Sequence, residues 1–115
     1  MSFRWPNKDP DETLDYSVDW SRFLESATID SVKWFVQSSL YNTKTELQAG
    51  QTLTTASSSA TTDSIQNVSQ TNTTTVATIN IAGGQNNVEY TFTCQMTDTT
   101  ASTAERTIKL RIKER

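Results

Sequence analysis

The sequence predicts an all-β fold, an antiparallel β-sandwich, on three observations. Apolar side chains alternate with polar ones at period two over several runs. β-Branched and aromatic residues, which suit a pleated and half-buried surface, fill those runs, and polar turn residues separate them at short intervals. Serine and threonine occupy 34 of the 115 positions and apolar residues only 34%, so the core is expected to be thin for one domain of this length.

The elements follow in chain order. "TLDYSVDW" sets Leu14, Tyr16, Val18 and Trp20 against Asp15, Ser17 and Asp19, the mark of a half-buried strand. A connector, "SRFLESAT", has room for a brief helical turn. "IDSVKWFVQ" then places Val32, Trp34 and Val36 on one face and Phe35 on the other. From 51 to 75, fourteen of twenty-five residues are serine or threonine, and across the wider middle, Glu46 to Thr75, the isolated Leu47, Leu53, Ile65 and Val68 are each expected to pin a short edge strand. In "TTTVATINIAGG", Ala77, Ile79 and Ile81 share a face, and Gly83 and Gly84 end the strand by permitting positive φ. "VEYTFTCQM" puts Val88, Tyr90, Phe92, Cys94 and Met96 in phase. "AERTIKLRIKE" does the same for Ala104, Arg106, Ile108, Leu110 and Ile112, and "TDTTAST" between them reads as a hairpin loop of several residues.

Six or seven short strands joined by polar loops point to an immunoglobulin-like or fibronectin-like sandwich spanning 13–115. Two hallmarks of a true immunoglobulin domain are missing from the sequence. The Cys, Trp, Cys spacing is absent, and the residue two before Cys94 is Phe92, where a tyrosine corner would put tyrosine.

Residues 1–12 read differently. In "WPNKDP" two prolines fix φ and resist both helix and ladder pairing, so an extended N-terminal arm is expected, with Phe3 and Trp5 as large apolar anchors. Two roles stay open for Trp5. It fills a pocket on a partner protein, or it folds back as a lid over its own sandwich.

Composition narrows the chemistry. There is no histidine, which removes the commonest general base and the commonest neutral metal ligand. Three glycines give no phosphate loop, and Cys94, the sole cysteine, sits in apolar phase as a buried thiol. The carboxylates Asp9, Asp11, Glu12, Asp15, Asp19 and Asp98 are of the kind that calcium prefers, but their spacing is no EF-hand loop and a solvated face explains them better. No enzyme activity, metal or cofactor is expected. The bases Arg106, Lys109, Arg111 and Lys113 interleave with apolar residues as a solvated strand face, so no nucleic acid is expected as a partner. No run approaches the length of a membrane span, and the first ten residues lack a secretory apolar run, which places synthesis in a cytoplasm.

The opening "RWPNKDPDETLDYSVDWS", a tryptophan in the next strand ("SVKWFV") and the basic alternating end "RTIKLRIKER" resemble the tailed-phage fiber-tail adaptor family. The likeness is strongest over Trp5 to Ser21, moderate over Val88 to Arg115, and carried by nothing in the serine-threonine middle. It implies a non-enzymatic virion protein of the phage tail, made in a bacterial host. Copies would be held in a ring and would join other tail proteins to fibres. The residues matching the motif are Trp5, Pro6, Lys8, Asp9, Pro10, Asp11, Leu14, Asp15, Tyr16, Asp19 and Trp20. Of these, Leu14, Tyr16 and Trp20 are expected in the core. Phe3, Trp5, Pro6, Lys8, Asp9, Pro10, Asp11, Asp15 and Asp19 are expected to meet partners. Two other readings fit a small sandwich: a capsid decoration protein, and a carbohydrate or cell-surface binding module with Trp34 and Tyr41 stacking on sugars.

Overall fold

The computed structural model describes residues 3–38, 44–54 and 62–114. It is all-β with one short helix: β1 (Phe3–Arg4), β2 (Thr13–Asp19), α1 (Ser21–Leu24), β3 (Ile29–Ser38), β4 (Thr45–Glu46), β5 (Thr52–Thr54), β6 (Thr62–Asn72), β7 (Val76–Ala82), β8 (Glu89–Asp98) and β9 (Thr103–Arg111). Two sheets form, one ordered β1-β9-β8-β3-β4 and the other β2-β7-β6-β5. Every pairing is antiparallel except β1 with β9.

The alternation read from the sequence is what joins the sheets. Tyr16, Val18, Ala77, Ile79, Ile81 and Ile65 on one sheet, and Trp34, Val36, Tyr90, Phe92, Cys94, Met96, Ile108 and Leu110 on the other, are buried in a single core. Trp20 is buried as expected, with Arg106 placed 4.9 Å over its ring. Arg106 therefore keeps its apolar phase by laying its guanidinium on an indole rather than by pointing to solvent. Burial pushes the Cys94 thiol up to about 11, the behaviour of an inert core cysteine. Trp34, 1% exposed, is out of reach of any sugar. Tyr41 lies outside the described residues.

The serine-threonine middle departs from expectation in two ways. β6 is a long strand of 11 residues rather than a short edge piece. Leu47, Leu53 and Ile65 are buried, but Val68 is 42% exposed. Val68 lies three residues from buried Ile65, so period two sends the two to opposite faces. Asn67, in phase with Ile65, turns inward just before a register shift in the β6–β7 pairing, and its side-chain amide donates to the Leu47 carbonyl and to the Gln70 side chain, both at 2.9 Å.

The β8–β9 loop is closed by one carboxylate. Asp98 Oδ1 accepts from the Thr100 hydroxyl at 2.6 Å, the Thr100 N–H at 2.8 Å and the Ser102 N–H at 3.0 Å. The Thr100 hydroxyl, then the backbone donors, hold this carboxyl below its ordinary range. A depressed folded pKa means that the stabilisation is present above the unfolded value, about 3.9, and is lost as pH falls through the folded one. Asp98→Asn is therefore expected to lower stability at pH 7 and to flatten the acid limb of the stability curve, read by urea melts between pH 2 and pH 7.

Tyr90 ties the end of the β7–β8 connection to the core. Its hydroxyl accepts the Gln85 backbone N–H at 3.0 Å, five residues upstream. Tyr90→Phe keeps the ring and removes this bond, and is expected to cost about 1 kcal/mol in a urea melt.

Candidate partner interface

The first residues, expected as an arm, lie along the sandwich as an edge of the larger sheet. Phe3 and Arg4 pair in parallel with Ile108 and Lys109. The ladder continues past β1: the Trp5 N–H donates to the Lys109 carbonyl at 2.9 Å, the Lys8 N–H to Arg111 at 3.0 Å, and the Lys113 N–H to Lys8 at 2.8 Å. The prolines explain the break between these bonds, since Pro6 brings no N–H to the ladder.

Trp5 closes the open side between the two sheets. Its ring stacks on Tyr16 at 4.6 Å and tilts toward Phe92 at 5.7 Å and Trp34 at 6.1 Å. Within the chain it is thus the lid that the sequence left as one of two roles, half-buried rather than projecting. Arg4 is exposed and donates to Glu89 Oε2 at 2.7 Å. That pair, with Lys109 3.6 Å from the other Glu89 oxygen, holds the Glu89 carboxyl below its usual range.

Lys8, expected to meet a partner, is fully buried within its own chain. Its ammonium donates to the Gly83 carbonyl at 2.6 Å and to the Asp9 carbonyl at 2.9 Å. An ammonium out of water needs such partners. Burial lowers its pKa, and the nearby carboxylates of Glu12, Asp9 and Asp11 oppose that shift. Gly83 has φ +74, so the positive φ read from the two glycines is also what turns a carbonyl toward Lys8.

The remaining predicted residues divide between a turn and a sheet face. Asp9, Pro10, Asp11 and Glu12 form a closed turn: the Glu12 N–H donates to the Asp9 carbonyl at 3.0 Å, the Asp11 N–H to Asp9 Oδ1 at 2.8 Å, and the Asp9 N–H to Glu12 Oε1 at 2.9 Å. Asp followed by Pro is the residue order such a turn favours. Asp15 and Asp19 are exposed on β2, where Asp15 accepts from the Asn80 side chain at 2.6 Å and Asp19 from the Ser21 N–H at 2.9 Å. The latter bond, chiefly, lowers the Asp19 pKa. Pro6 and Asn7 are exposed and line a shallow depression of about 420 Å³ with Lys113 and Glu114.

Sequence reasoning missed the cleft beside Trp5. It measures about 320 Å³ and opens between the edge strands β1 and β2, floored by Val18 and Ile108 and flanked by Arg4, Ser17, Asp19 and Arg106. An apolar floor between two guanidiniums suits a protein contact with an acidic rim. The one available signal was Arg106 standing in apolar phase. Among the described residues no group of three or more acidic or cysteine side chains is placed to hold a metal ion.

No curated protein matches the chain. The family model described as Podophage GP4 fiber-tail adaptor protein gp77 matches residues 8–46 and 40–111. The first match begins at buried Lys8, and together they take in β2 through β9, leaving β1, Trp5 and Ile112 outside. This chain belongs to the podophage GP4 fiber-tail adaptor family.

Proposed function

We propose that this chain attaches fibres to a podophage tail as a non-enzymatic joint, with several copies arranged in a ring. The observation that carries the proposal is the family match, which runs over both sheets rather than over one motif. The family name describes a fiber-tail adaptor of a podophage. Partner contact is assigned to the exposed Pro6, Asp11, Asp15 and Asp19, to the turn at Asp9 and Pro10, and to the Arg4–Arg106 cleft. Exposed ion pairs there contribute orientation more than affinity.

The sandwich itself is read as immunoglobulin-like, on four features. The order β2-β7-β6 matches the B-E-D sheet, and β9-β8-β3-β4 matches G-F-C-C′. An initial strand runs parallel to the last one. Trp34 on the C-like strand is in register with Cys94 on the F-like strand. Tyr90 bonds back to Gln85 near the start of β8 as a tyrosine corner does.

Particles assembled without this chain test the role. Tails lacking fibres are the expected product, and tails with a full fibre complement would overturn the reading. Protein quantification of intact particles gives a second check: a few to a dozen copies are expected, and hundreds would contradict a tail location.

A further inference from the structure

We propose that the segment Phe3–Lys8 is exchanged between copies of this chain, each copy's Trp5 filling the crevice of its neighbour. The proposal rests on the reading of these residues as the part that meets another protein, and it names that protein as a second copy.

Three observations carry it. First, the segment's bonds beyond its own turn run to the body of the sandwich: Arg4 to Glu89, Trp5 to Lys109, and Lys8 to Arg111, Lys113 and Gly83. A second copy offers the same acceptors and donors, and the same Tyr16, Trp34 and Phe92 surfaces for the Trp5 ring. Exchange therefore reproduces these contacts, which is why swapping an identical element is a low-cost route to assembly.

Second, the linker to β2 is short and charged. Asp9, Asp11 and Glu12 bring three carboxylates into one closed turn of four residues. Pro10 biases the preceding Asp9 toward extended backbone, the conformation an opened turn needs. Opened, four residues span about 13 Å, enough to lead the segment away from its own sheet.

Third, the crevice is filled from outside. β1 is an edge strand of two residues, and Trp5 is half-buried at the open side beside the 320 Å³ cleft. The segment leaves and re-enters without the sheets parting. The Trp5–Lys8 stretch is thus a plug that closes its own sandwich in an isolated copy and a neighbour's in the assembled one, with local concentration deciding between them.

Two measurements on the full chain test this. Arg4 and Lys109 are partners in the β1–β9 register, and adjacent strands bring such positions within disulfide reach. One copy carrying Arg4→Cys is mixed at about millimolar concentration with another carrying Lys109→Cys, then oxidised; the local-concentration argument sets that scale. A covalent heterodimer is expected, with its yield reduced at least tenfold when the Arg4→Cys copy also carries Trp5→Ala. A heterodimer yield no higher than that of the Trp5→Ala control would overturn the proposal. Independently, deletion of Pro10 and Asp11 makes the linker too short for self-docking. Light scattering is expected to find an oligomer that reverts to monomer on adding Trp5→Ala. A folded monomer, or an oligomer indifferent to Trp5→Ala, would overturn exchange. Either failure leaves the tail role standing, whereas fibre-bearing tails without the chain would remove the tail role and leave a solution dimer untouched.

Discussion

Trp5→Ala is expected to destabilise the protein by about 2–3 kcal/mol. Full truncation of a buried tryptophan costs roughly 3–5 kcal/mol, and Trp5 is half-buried. Its ring contacts with Tyr16, Phe92 and Trp34 come from both sheets, so the loss opens the joint between layers rather than a surface patch. Trp5→Phe keeps a ring in the crevice and is expected to recover more than half of the loss. A urea melt checks both variants. The midpoint falls with little change in slope if the fold otherwise holds.

The second large effect is expected at Gly84. Its φ is +103, and a Cβ there would stand 2.6 Å from Ile112 Cγ1, 2.9 Å from Ile112 Cδ1 and 3.3 Å from Ile65 Cδ1. Backbone strain and overpacking act together, so Gly84→Ala is expected to cost about 3 kcal/mol. Ile112 cannot give way cheaply. It is buried, its N–H donates to Val88, and it bridges to Lys8 in parallel. A displaced Ile112 therefore disturbs the seat of Lys8 and, with it, the ladder that holds the first residues. A melting temperature lowered by roughly 10–15 °C is the expected reading. A shift under about 3 °C would mean that the Ile112 contact is not a constraint.

Periodicity made the sheets legible. In β2, β7, β8 and β9 the period-two phase named the buried residues, down to Cys94 and Trp20, because each strand has one wet and one dry face. The same reasoning separated the N-terminal residues from the sandwich and missed how they rejoin it. Lys8 lies 75 residues from the Gly83 carbonyl it bonds, and no local pattern marks a lysine whose partner is that far along the chain. Expected to meet a partner, Lys8 instead finds two carbonyl acceptors within its own chain. Val68 is exposed for a different reason: it stands three residues from Ile65, so once both fall in the single strand β6 the alternation turns them to opposite faces. Tyr90 was read as core only. Its hydroxyl also accepts the Gln85 N–H, after the chain turns through Gly83 and Gly84 at positive φ. At the candidate interface the acidic turn and the exposed Asp15 and Asp19 were visible. The cleft was not, because it is made by Arg4 and Arg106 coming together from opposite ends of the chain.

The first residues are a structural edge of the sandwich, seated by Trp5 and Lys8. Amide hydrogen exchange on the intact protein tests it most directly. The Trp5 and Lys8 N–H groups, bonded to Lys109 and Arg111, are predicted to exchange with protection comparable to the Ile112 amide in the adjoining ladder. Exchange of both at unfolded-chain rates while Ile112 stays protected would contradict the account.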